Sequence, residues 1–234
     1  METLLKEYAR EIGIILTDDM IEKFIIYKNT LLEWNSKMNL TAITEDTEII
    51  TKHFIDSLTI EKYIPDSARV IDVGTGAGFP GIPLKIVRND IEVVLLDSLN
   101  KRVQFLNEII RVCGLDNITA IHGRAEDLGR QSDFREKFDI ATARAVANLA
   151  TLSEFCTPFI KIGGTFICMK ADAEDEIKNA ENAIKKLNMK LEKKEKFKLV
   201  DTNADRTIII YKKEKTTPKQ YPRKAGTPSK TPIQ

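Results

Sequence analysis

Between positions 72 and 81 the chain reads "DVGTGAGFPG", an acid two residues ahead of a turn in which glycine recurs at Gly74, Gly76, Gly78 and Gly81. The apolar run "RVIDV" precedes this turn and "GIPLKIVR" follows it, so the glycines join a strand to a helix. Glycine accepts positive φ and puts no Cβ between main chain and ligand. Such a turn can therefore lay a nucleotide-like molecule directly against the backbone. A phosphate-gripping loop would end in Gly-Lys-Ser/Thr, whereas this one ends Gly78-Phe79-Pro80-Gly81 and offers no lysine. A dinucleotide turn requires G-x-G-x-x-G, and counting from Gly74 its third glycine would fall on Phe79.

The pattern that remains, Asp72-x-Gly74-x-Gly76-x-Gly78, resembles motif I of class I S-adenosylmethionine-dependent methyltransferases. Two further groups stand in the order that chemistry needs. Asp97 closes "EVVLLDS", 23 residues after Gly74. A carboxylate at the end of a second parallel strand can accept hydrogen bonds from both ribose hydroxyls and would repel a 2′-phosphate. Asp97 or its neighbour Ser98 could also cap the helix "NKRVQFLNE", and the two roles can coexist. After the next strand, "IHGRAEDL" sets Ala125, Glu126 and Asp127 where the adenine of such a cofactor is held: backbone groups meet its edge and an acid its amino group. Taken alone, the same three residues are a helix start with acids favoured by the macrodipole.

Methyl transfer from a sulfonium is an in-line displacement, and a base is needed only where the nucleophile carries a proton. The Asn/Asp-Pro-Pro-aromatic motif used on exocyclic amines is missing after the fourth strand, where the chain reads "ATARAVANL". Cys113, Cys156 and Cys168 sit in helical or mid-strand runs and read as core thiols rather than nucleophiles for pyrimidine C5. The nucleophile left is one with a free lone pair, such as a ring nitrogen. Arg144 ends the fourth strand, on the side where this architecture binds ligands. It could hold the cofactor carboxylate, an RNA phosphate or a base, or form an ion pair with Asp72 or Glu126. Lys170, ending the fifth strand, is a candidate for a phosphate. His53 and His122 have no ligand partners in sequence, and Trp34 reads as helix packing.

These groups need a frame. Strand-like runs at "RVIDV", "IEVVLLD", "NITAIH", "FDIATA" and "GTFICMK" alternate with "GIPLKIVR", "NKRVQFLNEIIRVCG", "NLATLSEFCTPFI" and "AEDEIKNAENAIKKLN". Short apolar strands alternating with helices make a mostly parallel sheet covered on both faces. "EKFKLV" and "RTIIIYKKE" add a terminal hairpin. Residues 1–64 read as helical, with Met20, Phe24, Tyr27, Leu31 and Trp34 as one stripe and Asp19 with Glu22 as a capping box. The expected division is a helical cap (1–64), an α/β domain (65–214) and a tail (215–234). The odd, unpaired cysteines fit a reduced, cytoplasmic protein. The acids Glu2, Glu7 and Glu11 at the N-terminus, and the lack of a long apolar run, speak against a leader peptide or membrane partner. Net charge is +1, yet the tail alone carries +5 through Lys215, Lys219, Arg223, Lys224 and Lys230. A basic tail on an acidic body points to a polyanion or to a solvated, disordered extension.

The segments "NLTAI", "HFIDSL", "DVGTGAGFPGIPL", "GRAEDL", "ATARAVANL" and "YPRKAGTPSKTPI" together resemble the RsmG (GidB) family of bacterial small-subunit ribosomal RNA methyltransferases, over nearly the whole chain. The resemblance implies a class I, Rossmann-like methyltransferase fold with a mostly parallel seven-stranded sheet. It also implies S-adenosyl-L-methionine as cofactor and N7 of a guanine in the 530 loop of 16S rRNA as target. Gly74, Phe79, Ala125, Glu126 and Arg144 would contact the cofactor. The partner would be 16S rRNA within the 30S subunit or a precursor, met by a monomer. Guanine N7 has a lone pair and no proton, so the missing catalytic motifs become expected. Arg223 and Lys224, beside Tyr221, would bind RNA phosphates. Two other readings stay open on residues alone: a non-catalytic RNA-binding assembly factor and an NAD-dependent oxidoreductase.

Overall fold

The computed structural model describes residues 1–144 and 147–234; Ala145 and Val146, inside "ATARAVANL", lie outside the described residues. Seven strands form one sheet: β1 (Arg69–Val73), β2 (Glu92–Asp97), β3 (Ile118–His122), β4 (Phe138–Arg144), β5 (Ile160–Lys170), β6 (Met189–Lys198) and β7 (Asp205–Lys213). Their order is β3-β2-β1-β4-β5-β7-β6, with β7 antiparallel to both of its neighbours and all other pairs parallel. The chain reverses direction across the sheet beside β1, between β1 and β4, where open α/β sheets bind ligands beyond the carboxyl ends of their strands.

Strand β2 shows how the sheet is buried on both faces. Val93 and Leu95 join one apolar cluster, while Val94 and Leu96 join the other. The first cluster is shared with the N-terminal helices α1 (Glu2–Glu11), α2 (Asp18–Met38) and α4 (Asp56–Leu58), while the short α3 (Asp46–Glu48) stays outside it. Leu5, Phe24 and Phe54 pack there with Val70 and Leu95, so cap and sheet have one continuous core. Between α3 and α4 the chain runs as a π-helix over Ile49–Ile55. Helices α5 (Gly81–Val87) and α6 (Asn100–Val112) cover the same face as the cap. Helices α7 (Ala125–Leu128), α8 (Leu149–Cys156) and α9 (Glu174–Lys186) cover the other, and α10 (Thr227–Lys230) lies in the tail.

Local detail departs from the sequence reading at three places. Helix α2 is capped by Thr17, whose hydroxyl accepts from the Met20 amide at 3.3 Å, rather than by Asp19, whose carboxylate pairs with Lys23. Strand β6 starts at Met189, ahead of "EKFKLV", because a lysine-rich edge strand needs no buried face to pair with β7. The tail is folded: Tyr221 and Ile233 are buried in the second cluster. No helix among the described residues is long and apolar enough to cross a membrane.

Candidate active site

The glycine turn follows β1 directly and is held from three sides. Gly74 and Thr75 donate their amides to the Leu96 carbonyl at 2.8 and 3.1 Å, tying the turn to β2. Gly74, Gly76 and Gly78 have φ of 70°, 62° and 99°, a left-handed conformation that disfavours any side chain. Below the turn, Asp72 is fully buried, and its Oδ2 accepts from Thr75 Oγ1 at 2.7 Å and the Gly81 amide at 2.9 Å. A Cβ at Gly81 would stand 3.0 Å from that oxygen and 2.4 Å from Leu95 Cδ2, so glycine is required for the helix to approach the strand. Asp72 Oδ1 has no partner among the described residues, and burial raises this carboxyl to about 6.

Asp97, at the end of β2, bridges the two turns. Its Oδ2 accepts from the Gly76 amide at 2.9 Å and its Oδ1 from the Leu99 amide at 2.9 Å, with Arg102 Nη1 at 3.5 Å. The carboxylate thus fixes the glycine loop and opens α6 through a backbone contact. Helix α6 has Leu99 at its cap position, and Ser98 does not cap it. One strand further, the Gly123 amide donates to the Asp97 carbonyl at 3.0 Å, which sets the start of α7 beside the same acid. Gly74, Ser98, Ala125 and Glu126 line a single cavity of about 290 Å³ together with Val73, Leu96 and Phe155. Of the glycine turn only Gly74 reaches the lining; Gly76, Gly78 and Asp97 stand behind it, while Ser98 and Glu126 line the cavity with it. The bare Gly74 main chain and the Glu126 carboxylate fit an adenosine, whose donor groups an acid accepts, and Arg124 is the one cation on the lining among the described residues.

Phe79 and Arg144 lie apart from that cavity and beside each other. The Arg144 guanidinium sits 4.9 Å from the Phe79 ring centroid, and the His53 ring stacks on the same phenyl at 4.4 Å and 16°. Arg144 pairs with Asp56 Oδ2 at 3.0 Å, not with Asp72 or Glu126, and donates to the Lys52 carbonyl at 3.0 Å. Asp56 Oδ1 takes Arg206 Nε at 2.9 Å, so one cap carboxylate joins β4 and β7. The Arg144 Nη2 atom lies 3.3 Å from His53 Nδ1 and His53 Nε2 lies 2.8 Å from Thr41 Oγ1. A guanidinium only donates, so Nδ1 is the acceptor and the ring proton is on Nε2. Burial and the Arg144 charge push this histidine down to about 3, and it stays neutral. Burial likewise lowers the Arg144 pKa from its usual value.

A second cavity, of about 340 Å³, is lined by His53, Asp56, Arg144, Lys170 and Arg206 with the apolar Ile43 and Met169. Lys170 is paired there with Glu176 at 2.8 Å and donates to the Ala147 carbonyl. Arg144 and Lys170 stand out in the sequence as strand-end cations, whereas His53 shows no partner there and Asp56 does not stand out. Their only signal was the "HFIDSL" segment, because their partner Arg144 lies 88 residues away from Asp56. In the tail, Lys224 is exposed. The Arg223 guanidinium instead turns inward onto the fully buried Glu154, with Nη2 to Oε2 at 2.6 Å. The thiols of Cys113, Cys156 and Cys168 are buried; burial pushes Cys113 and Cys168 up to about 12 and Cys156 well above its ordinary value. None is suited to act as a thiolate nucleophile.

The sequence profile of the GidB family, described as rRNA small subunit methyltransferase G, matches residues 20–208. Proteins named Ribosomal RNA small subunit methyltransferase G are similar along nearly their whole length. The one from Clostridium botulinum (strain Eklund 17B / Type B) is 53% identical over 233 residues, covering 98% of each chain. That from Acetivibrio thermocellus is 51% identical over 234 residues, covering 100% of this chain and 97% of the other. Among solved structures, TrmN from Thermus thermophilus superposes with a TM-score of 0.53 at 16% identity, covering 70% of this chain and 53% of that one. M. jannaschii TYW2, in complex with AdoMet, gives 0.51 at 17% identity over 67% of this chain and 74% of that one.

Proposed function

The chain belongs to the rRNA small subunit methyltransferase G family, and from that premise we propose that it transfers the methyl group of S-adenosylmethionine to N7 of a guanine in the 530 loop of 16S ribosomal RNA. The observation that carries the reading is the lacing of the glycine turn to Asp97, through the Gly76 amide at 2.9 Å, above a cavity lined by Ala125 and Glu126. In this proposal Gly74, Gly76 and Gly78 present main chain to the cofactor, and Asp97 with Ser98 receives the ribose. Ala125 and Glu126 hold the adenine. Phe79 contributes its backbone, because its ring is packed under Tyr27 and His53. Arg144, fixed by Asp56, orients the reacting pair.

When bound, the cofactor supplies an electrophilic methyl on a sulfonium. The task of the protein is then alignment and exclusion of water, since the N7 lone pair needs no proton removed. His53, neutral and hydrogen-bonded at both nitrogens, serves as a flat wall. The second cavity, beside Arg144, is where the purine enters, and exposed Lys224 is placed to meet RNA phosphate. The chain acts as a monomer in the bacterial cytoplasm, on 16S rRNA within the 30S subunit or its precursor. Residues 1–64 serve as a cap, 65–214 as the catalytic body and 215–234 as a tail. Incubation with methyl-labelled S-adenosylmethionine and undermethylated 30S particles should place the label on guanine N7. Label recovered only at another atom would reject the assignment.

A further inference from the structure

The basic, proline-rich C-terminus is built into the molecule by a chain of specific contacts. Arg135, ahead of β4, donates from Nη1 to the carbonyls of Gly129 and Tyr221, both at 2.9 Å, and from Nη2 to Thr217 at 2.9 Å. The Thr217 amide donates to Glu136 Oε1 at 2.8 Å. Pro222 packs so closely on Gly129 that a Cβ there would stand 3.3 Å from its Cγ. Next, Arg223 gives Glu154 its backbone amide at 2.7 Å as well as its guanidinium, and this is the only cation paired with that fully buried carboxylate among the described residues. The segment then turns back over the site. The Gly226 amide donates to Glu126 Oε1 at 2.8 Å, and Thr151 Oγ1 donates to the Pro228 carbonyl at 3.0 Å. Gly226 and Ser229 line the 290 Å³ cavity opposite Gly74.

We propose that residues 221–233 form the outer wall of the cofactor cavity, with Arg223 as a positioning residue, so that affinity for an adenosine-containing cofactor depends on the tail even without RNA. The inference rests on reading that cavity as the S-adenosylmethionine site. Arg223 locks the segment to α8 through Glu154, and the segment orients Glu126 by taking one of its oxygens. The other oxygen is left to the ligand. A tail that served RNA alone would need neither contact.

The test is calorimetric titration of the intact protein, free of RNA, with S-adenosylhomocysteine. Arg223→Lys keeps the charge and loses the bidentate fork; Ser229→Phe fills the cavity from an exposed position and leaves the Glu154 lock in place. Both should bind at least tenfold more weakly than wild type, with the melting temperature of Ser229→Phe unchanged. In turnover, KM for S-adenosylmethionine should rise while kcat and KM for RNA hold. If Arg223→Lys fails to fold, Ser229→Phe decides alone. Affinities within twofold of wild type for the folded variants would overturn the proposal while leaving the cofactor site in place. A wild-type protein that does not bind the ligand would overturn that site reading and the proposal with it.

Discussion

At neutral pH Asp72 carries its charge inside the protein with one oxygen unpaired, and that leaves a signature in stability. Its carboxyl is raised from 3.8 to about 6 by burial. Between those values the folded state holds a proton that the unfolded chain has lost, so this group makes stability fall as pH rises. The full effect is about 3 kcal/mol, from roughly two pH units at 1.36 kcal/mol each. Asp72→Asn does not titrate. Denaturant melts should therefore show its stability relative to wild type rising from pH 4 to pH 6, and a flat difference would contradict the assignment. Asp97 calls for a different readout, since it holds the glycine loop through the Gly76 amide and sits between Leu96 and Ser98, which line the cavity. Asp97→Asn should weaken S-adenosylhomocysteine binding by about 1.5–3 kcal/mol, or roughly 10- to 150-fold, as expected for lost hydrogen bonds to a charged group. Isothermal titration measures it directly. Both acids were legible in the sequence because strand-end position and glycine spacing are local features. Glu154 was not, because its meaning comes from Arg223, 69 residues away.

At the scale of elements, helix α2 does more than pack. The Tyr27 hydroxyl donates to the Ala77 carbonyl at 2.5 Å, its ring stacks on Phe79 at 5.4 Å, and a Cβ at Gly78 would meet the hydroxyl at 2.7 Å. The cap thereby braces the glycine turn from the face opposite β2. Tyr27→Phe keeps the stack and loses the hydrogen bond. It should cost about 1 kcal/mol of stability and weaken cofactor binding several-fold, read by melting and titration on the same sample. The apolar spacing of Phe24, Tyr27 and Leu31 announced this helix, and the alternation of strands and helices announced the sheet. "RVIDV" coincides with β1 because Val70, Ile71 and Val73 make the apolar core of a buried parallel strand. The sequence was silent where solvent or distant partners decide. Seven of the ten residues of β6 are lysine or glutamate and little of the strand is buried, so only pairing with β7 defines it. Thr17 and Asp19 are both good caps, and the point at which the chain turns selects between them.

At the scale of the whole molecule, three charged side chains hold the cap to the sheet. Asp56 from α4 pairs with both Arg144 of β4 and Arg206 of β7; Asp56 is buried and Arg144 is mostly covered. Asp56→Ala would leave two guanidiniums without their carboxylate. The expected loss is about 3–5 kcal/mol, measured by chemical denaturation, with Asp56→Asn intermediate. The tail shows the opposite limit of sequence reading. Five cations and four prolines in twenty residues suggest an unfolded, polyanion-seeking arm. Its order comes instead from Arg135, Glu136, Glu154 and Glu126, acceptors and donors that composition cannot reveal. Sheet and tail thus converge on one cavity at the carboxyl ends of β1 and β2, and the cap braces the glycine turn beside it through Tyr27. A crystal structure with S-adenosylhomocysteine tests that convergence most directly. The ribose should lie on Asp97, the adenine between Ala125, Glu126 and Gly226, and the sulfur against residues 74–78. Density for the ligand at any other place on the protein would contradict the account.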